Sequence, residues 1–173
     1  MKETAEYFNS TALLLASEGK HAEAVACLRQ AIRIDKENYV LWYNLALSYR
    51  AMGQYDDARN ALLQALEINP FDVDIFDTLG VLLHELGEDT IAEDAYQAAL
   101  GIAPQNGRVW NNYGVLQFSQ KRYEAACKSF ETAVTLLPEF NDALYNLRDT
   151  YEELGKTDKM KKCSAILAER GIS

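Results

Sequence analysis

The sequence has little of what a β-sheet, a nucleic-acid surface or a membrane span requires. Its 173 residues include three prolines and nine glycines and lack runs of β-branched residues, which favours helices over strands. Lys and Arg number 17 against 26 Asp and Glu, so the net charge of −9 argues against binding a phosphate backbone. No apolar run has the length of a membrane span, and the run at 12–16, with its acidic lead-in, is too short for a signal sequence.

Cysteine and histidine are also scarce. Cys27, Cys127 and Cys163 are too widely separated to form a disulfide framework or a metal-ligand motif, so we expect a reducing, cytoplasmic location. His21, expected in a turn, and His84 have no ligand set nearby, and we expect both at the surface. No glycine-rich phosphate loop follows a strand. These observations predict that the protein is not an enzyme and uses no cofactor and no metal.

What the sequence does have is a regular apolar pattern, and 49% of its residues are hydrophobic. Within residues 40–70 these positions fall on one face of each of two helices. They are Trp42, Leu45, Ala46 and Tyr49 in the first helix and Ala58, Leu62 and Ala65 in the second. Gly53 provides the turn between the helices and Pro70 ends the second one. Neither helix can bury its stripe alone, so the pair must pack against a similar unit.

The same pattern recurs every 34 residues along the whole chain. Pro70, Pro104 and Pro138 are spaced by this interval, and the turn glycines Gly19, Gly53, Gly87 and Gly155 keep the same register, with Lys121 in the fourth turn. Asn38, Asp72 and Asn106 are good helix-capping residues at the junctions. The chain therefore divides into five repeats, at residues 5–38, 39–72, 73–106, 107–140 and 141–173.

This spacing and these residue types resemble the tetratricopeptide repeat (TPR), whose pattern is W-x2-L-G-x2-Y, then A-x3-F, A and P. The third repeat matches at Phe76, Leu79, Gly80, Ala92 and Tyr96, and the fourth at Trp110, Gly114, Ala126, Phe130 and Ala133. The resemblance implies an all-α fold, a right-handed TPR superhelix (α-solenoid) of five helix-turn-helix repeats in one domain over residues 5–173. Its first helices would line the concave face.

The fifth repeat departs most from the pattern. Arg148 replaces the small residue at the helix crossing, Met160 replaces an alanine, and Ser164 replaces the bulky residue between repeats. We interpret this pair as a terminal cap with a solvated outer face, because the last unit of a repeat array has no neighbour on that side.

Equivalent positions on the first helices define three rows that would face the concave groove. The rows are Asn9, Tyr43, Asp77, Asn111 and Tyr145; then Ser10, Asn44, Thr78, Asn112 and Asn146; then Leu13, Leu47, Val81, Val115 and Asp149. The second row resembles the asparagine ladder of O-linked N-acetylglucosamine transferases, which implies a grip on a peptide backbone. The alternative is that these asparagines suit an exposed helix or bond within the repeat.

Charge is concentrated in the third repeat, which has seven acidic residues and no Lys or Arg. We expect Asp74 and Asp77 to face the groove, where they would select a basic segment, although solvated surface charge is the alternative interpretation. The predicted peptide-binding residues are Asn9, Tyr43, Asn44, Leu47, Asp74, Asp77, Thr78, Val81, Asn111, Asn112, Tyr145 and Asn146. A carboxylate clamp of the chaperone-adaptor type is not expected, because only Asn44 fits it.

The sequence thus predicts a scaffold that binds a peptide or protein segment in its concave groove. Two alternatives remain open, which are a self-assembly module and a regulatory or adaptor domain of a larger enzyme complex. The residues do not identify the partner, since one fold serves many functions.

Overall fold

The computed structural model describes residues 4–172, and these residues form ten α-helices and no strands, which confirms the all-α prediction. The helices are α1 (Ala5–Ser17), α2 (His21–Ile34), α3 (Tyr39–Ala51), α4 (Tyr55–Ile68), α5 (Val73–Glu85), α6 (Asp89–Ile102), α7 (Gly107–Ser119), α8 (Tyr123–Leu136), α9 (Asn141–Glu153) and α10 (Thr157–Glu169). First helices begin 34 residues apart, and so do second helices, as the repeat predicts. Ser173, the end of the fifth repeat, and the acidic lead-in at Glu3 lie outside the described residues.

The chain divides into two compact units, Met1–Leu82 and Leu83–Ser173, and the boundary falls within α5. Unit 1 contains α1 to α4 and the first residues of α5. Unit 2 contains the end of α5 and α6 to α10. In unit 1, α1 packs against α2 and α3 against α4, and α2 also contacts α3. In unit 2, α7 packs against α8 and α9 against α10, while α6 contacts α7 and α8 contacts α9. The single-domain assignment over 5–173 stays a prediction.

The helix boundaries follow from local chemistry. Side chains of Asn38, Asp72 and Asn106 accept hydrogen bonds from the first free N–H groups of α3, α5 and α7, which confirms these residues as caps. The hairpin turns require a left-handed residue. Gly53 provides it in the second repeat with φ of 71°, and Lys121 adopts the same conformation in the fourth with φ of 59°.

Small and large residues alternate in the core of unit 1. Ala24, Leu28, Ala46, Ala58 and Leu62 are each at most 1% exposed. The first repeat lacks a proline at its junction with the second. A hydrogen bond stabilises this junction instead, since the Trp42 indole N–H donates to the carbonyl of Lys36 at 2.8 Å. In unit 2 the Trp110 indole makes the equivalent bond to the carbonyl of Pro104 at 2.9 Å.

The core of unit 2 contains larger aromatic residues. The ring of Phe130 fills the space over Gly114, where an added Cβ would lie 2.6 Å from Cε1 of the ring. Phe130 also packs with Leu144, Leu147 and Tyr151 of α9, so it fills both the hairpin and the gap to the next repeat.

The last helix, α10, buries only Cys163 and Leu167. Lys161, Lys162 and Glu169 are exposed, as expected for the outer face of a cap. Among residues 4–172, no helix is long and apolar enough to cross a membrane.

Candidate binding site

In unit 1 the first-helix rows are joined by hydrogen bonds between neighbouring repeats. Nδ2 of Asn44 donates to Oδ1 of Asn9 at 2.9 Å. The hydroxyls of Tyr43 and Thr78 are 3.1 Å apart and form the next bond of the same kind. Each bond joins a residue of the first row to the residue 35 positions later, in the second row. These residues therefore bond between repeats, whereas the alternative interpretation placed such bonds within one repeat.

The third row of unit 1 leaves apolar side chains at the surface. Leu13 is 51% exposed and Leu47 is 36% exposed. Together with Asn44 and the buried Leu28 they line a small pocket of about 90 Å³ between the first two repeats. Val81 continues this row and is half-buried. This surface of unit 1 therefore has a largely apolar pocket bordered by the amide of Asn44.

Acidic residues surround Tyr43. Burial raises the pKa of its phenol, the carboxylates of Asp74, Asp77 and Asp72 raise it further, and the hydrogen bond to Thr78 opposes the shift. Asp74 is exposed and Asp77 is half-buried. The structure therefore brings the two predicted acidic residues to the neighbourhood of a predicted tyrosine, and this part of the surface is negative.

In unit 2 the same pairing of rows recurs. Nδ2 of Asn146 donates to Oδ1 of Asn111 at 2.9 Å, and Nδ2 of Asn111 donates to Oδ1 of Asn112 at 3.3 Å. Asn111 is only 6% exposed, so most of its amide faces protein. The ring of Tyr145 lies under the guanidinium of Arg148, with 4.7 Å between the guanidinium carbon and the ring centroid.

A second pocket, of about 80 Å³, lies in unit 2 at the position equivalent to the first. It is lined by Val115, Phe118, Phe130, Asn146 and Asp149. The five residues that lie 102 positions earlier in the sequence all line the first pocket. They are Leu13, Ala16, Leu28, Asn44 and Leu47. Asp149 replaces a leucine, and its carboxylate is 2.7 Å from Nη2 of Arg148. Both units thus have a first-helix pocket at a repeat junction, bordered by an asparagine that takes part in an Asn–Asn hydrogen bond.

Charged networks lie on the second-helix side of unit 2. The Glu93 carboxylate accepts from Arg122 at 2.8 Å and from the Tyr113 hydroxyl at 2.6 Å, and these two bonds lower the pKa of Glu93. Glu131 accepts from the Tyr151 hydroxyl at 2.6 Å, which is the main cause of its lowered pKa. The Tyr151 pKa is raised, first by burial and then by this bond. These contacts connect successive repeats.

Three sequence models of one family match this chain. All three are described as tetratricopeptide repeat, and they match residues 15–80, 73–106 and 90–140, which together leave no gap between 15 and 140. The chain belongs to the tetratricopeptide repeat family. No curated protein matches it at a significant level.

Solved structures share the fold of this tetratricopeptide repeat protein. PilF of Pseudomonas aeruginosa has a TM-score of 0.88 at 18% identity, over 95% of this chain and 75% of that one. MamA of Desulfovibrio magneticus RS-1 has 0.77 at 18%, over 95% and 92%. YrrB has 0.69 at 22%, over 93% and 83%. At these identities the likeness establishes the fold alone, which is the predicted all-α helical-repeat solenoid.

Sequence reasoning on this tetratricopeptide repeat protein missed the partners of its polar residues. The rows were aligned at 34-residue spacing, whereas the hydrogen bonds join residues 35 apart. An offset of one residue between the rows would have indicated these partners, because donor and acceptor groups face each other at that spacing in three pairs. The sequence pattern did not indicate that Glu93 contacts Tyr113 and Arg122, because Glu93 belongs to the preceding repeat.

The histidines and cysteines of this tetratricopeptide repeat protein differ in how well they were predicted. The prediction of a turn at His21 is wrong, because His21 is the first residue of α2. Its side chain is half-buried, with Nδ1 enclosed, and it lines the same pocket as Ala12 and Ala16. His84 lies 2.7 Å from Asp89 through Nδ1. Cys127 and Cys163 are buried, and burial raises the pKa of both thiols, so they are packing residues.

Proposed function

We propose that this protein is a non-catalytic scaffold that binds a segment of a partner protein along the first-helix rows. The single observation that carries the proposal is the recurrence of one junction pocket in both units, with the same residue positions and a similar volume of about 80–90 Å³. If these residues served only to pack the repeats together, their side chains would fill the space between them. Here they are left open beside exposed apolar side chains.

The chemistry of each pocket suits one small apolar side chain of an extended segment. Leu13 and Leu47 in unit 1 and Val115 in unit 2 provide exposed apolar contact. Burying such surface contributes about 25 cal/mol per Å² removed from water, before the losses of association. Asn44 and Asn146 stand at the borders of the pockets, where an amide can bond to the backbone of the segment.

The acidic residues near Tyr43 suggest the charge of the segment. Asp74 and Asp77 would attract a Lys or Arg side chain, and complementary charge increases association rates more than it increases affinity. We therefore propose a partner segment that combines small apolar residues with a basic residue.

Relatives in structure support a binding role. Tetratricopeptide repeat proteins generally act as scaffolds without catalysis, and YrrB is described as having a peptide-binding site. We propose that this chain also acts without catalysis. A reducing location, the cytoplasm, is proposed because three cysteines remain free thiols.

The test uses a variant that changes the pocket and keeps the hydrogen bonds between repeats. Leu47→Lys places a charge at the unit 1 pocket, while Asn44→Ala would also remove the bond to Asn9 and so confuse binding with stability. Ile91→Lys is the matched control, because Ile91 is 54% exposed on α6 and lies away from the first-helix rows.

We expect arrays of capped 12-residue peptides containing Val, Leu and Lys to retain the unchanged protein and the Ile91→Lys variant. The Leu47→Lys variant should bind about tenfold or more weakly, since a single important contact is worth over ~1.4 kcal/mol. Circular dichroism should give the same helicity for all three proteins. Equal loss in both variants, or undiminished binding by Leu47→Lys, would contradict the proposal.

A further inference from the structure

The second-helix side of unit 1 has a groove that the first-helix rows do not share. It lies between α2 and α4, has a volume of about 340 Å³, and α3 forms its floor. The floor is apolar and partly aromatic, with Trp42, Leu45 and Tyr49 at positions i, i+3 and i+7 of α3. The indole of Trp42 is fixed by its bond to the Lys36 carbonyl. The groove therefore has a preformed apolar floor.

Two arginines stand on the α2 wall without a carboxylate partner. Nε and Nη2 of Arg29 donate to the hydroxyl of Tyr49 at 3.1 and 2.6 Å. Nη1 of Arg33 donates to the side-chain oxygen of Gln30 at 3.3 Å. Both acceptors are neutral, and within residues 4–172 neither arginine forms an ion pair. In a protein of net charge −9, two adjacent unneutralised cations are an unusual feature.

At the equivalent position in unit 2, the charged side chain forms an ion pair. Glu131 and Tyr151 stand where Arg29 and Tyr49 stand in unit 1, and Lys159 reaches across to Glu131 at 3.2 Å. This ion pair joins α8 to α10 over the buried tyrosine. The repeat architecture therefore does not require an open, charged groove at this junction.

The opposite wall of the unit 1 groove carries Asp57, at the position equivalent to Lys159. In the described part of the chain no ion pair joins Asp57 to Arg29, so both walls stay charged and the channel between them stays open. One wall is positive and the other is negative near the start of α4. An anionic ligand would be attracted to the α2 wall and repelled from the α4 wall, which fixes its orientation.

We propose that this groove binds an acidic segment of a partner protein. A carboxylate of the segment meets Arg29 and Arg33, and a neighbouring apolar side chain lies on Trp42 and Leu45. The bond from Arg29 to Tyr49 holds one guanidinium in place before binding, which reduces the side-chain freedom lost in the complex. Guanidinium groups form paired hydrogen bonds with carboxylates, and the apolar floor weakens screening by water.

This site is independent of the first-helix site and has the opposite preference. The first-helix rows of unit 1 have Asp74 and Asp77 and favour a basic segment, whereas the α2 wall favours an acidic one. The protein would then hold two segments of opposite charge at the same time. Neither site depends on the other for its contacts.

The experiment uses the full chain with arrays of capped 12-residue peptides. One set interleaves Asp and Glu with Leu, Phe and Trp, and a matched set has Lys in place of every acidic residue. The tightest acidic peptide is then labelled and titrated by fluorescence anisotropy. Arg33→Gln is the main variant, because it leaves the bond between Arg29 and Tyr49 intact. Arg108→Gln is the control for loss of one positive charge, since Arg108 is exposed on α7 of unit 2.

We expect the acidic set to bind and the Lys set to bind at least about tenfold more weakly. Arg33→Gln should weaken the acidic peptide roughly fivefold to tenfold, and Arg29→Gln combined with Arg33→Gln should abolish measurable binding. Arg108→Gln should not change it. Raising the salt concentration should weaken binding, because the contact is ionic.

Three results would overturn the proposal. The first is that no pooled acidic peptide binds. The second is that the Arg33→Gln variant and the unchanged protein bind with equal affinity. The third is self-association, detected by sedimentation, that Arg33→Gln removes while peptide binding stays absent, since the occupant would then be a second copy of this chain.

Discussion

The two units fill the same helix crossing with different volumes. In unit 1, Ala46 and Leu62 occupy the small and large positions, whereas in unit 2 these positions hold Gly114 and Phe130. All four residues are buried, but only the glycine leaves room for a phenylalanine ring at van der Waals distance. The crossing therefore requires complementary volumes and does not require particular residues.

The tyrosine junctions show the same principle for charge. Tyr49 in unit 1 receives hydrogen bonds from Arg29, and Tyr151 in unit 2 donates one to Glu131. A phenol can accept or donate, so either charge satisfies it. In unit 2 an ion pair between Glu131 and Lys159 spans the tyrosine, whereas in unit 1 the groove above Tyr49 is open.

The largest expected effect comes from breaking the volume match in unit 2. Gly114→Ala places a Cβ against the Phe130 ring and should destabilise the protein by about 1–3 kcal/mol. Phe130→Leu leaves a space beside the glycine and should cost on the order of 1 kcal/mol. The double variant adopts the unit 1 combination and should be more stable than the sum of the single effects predicts. Urea denaturation of all four proteins measures the coupling, and strict additivity would refute the volume match.

The turns offer a second comparison, between Gly53 in unit 1 and Lys121 in unit 2. Both residues have positive φ, which a residue with a Cβ adopts less readily. We expect Gly53→Lys to destabilise the protein by about 1 kcal/mol and Lys121→Gly to stabilise it by a similar or smaller amount. Thermal melting of both variants checks the signs. If both variants had lower melting temperatures, the contacts of the Lys121 side chain would stabilise the protein by more than its left-handed backbone conformation destabilises it.

The pH dependence of stability tests the ionic network of unit 2. The folded-state pKa of Glu93 is lowered by Arg122 and Tyr113, so its contribution is complete above about pH 4.3, the ordinary value for glutamate, and is lost as the pH falls through the lowered value. Glu93→Gln should be less stable than the unchanged protein at pH 7, and the difference should narrow at pH 3. Denaturant midpoints across this range measure it.

The control for the pH prediction is Glu152→Gln, since Glu152 is exposed on α9. Its denaturant midpoints should follow those of the unchanged protein at every pH. If Glu93→Gln gave a constant difference from pH 7 to pH 3, the network would not be ionic in origin.

The smallest effect on stability should come from exchanging the charges at the open groove. Arg29→Glu combined with Asp57→Lys installs the unit 2 arrangement in unit 1. Because exposed ion pairs contribute about 0–1 kcal/mol, the free energy of unfolding should change by less than ~1 kcal/mol. Binding of the acidic peptide should nevertheless be lost. A variant that retained that binding would show that the open arginine wall is not the binding surface.

Much of the fold could be predicted from the sequence. The 34-residue period gave the ten helices, the caps Asn38, Asp72 and Asn106, and the left-handed turn at Lys121. These features depend on residues close together in the chain, so their chemistry can be read directly. His21 was misplaced because a turn and the first residue of a helix have the same pattern, and only packing decides how much of the ring is enclosed.

The candidate site was predicted less completely. The rows containing Asn9, Asn44, Asn111 and Asn146 were found, but their hydrogen bonds to each other were not. The groove of Arg29 and Arg33 was not anticipated at all, because it requires residues of three helices. Binding by the first-helix rows stays a prediction for the experiments above.

The sequence alone determined the repeat, the helices and the residue types at each crossing, because these follow from periodicity and local backbone preference. The tertiary structure decided which polar groups meet. The stagger between neighbouring repeats brings residues 35 apart together on the first helices, and residues 20 apart together where Arg29 meets Tyr49 and Glu131 meets Tyr151. A spacing in the sequence does not fix that stagger, since it is set by how side chains of different volume pack between helices.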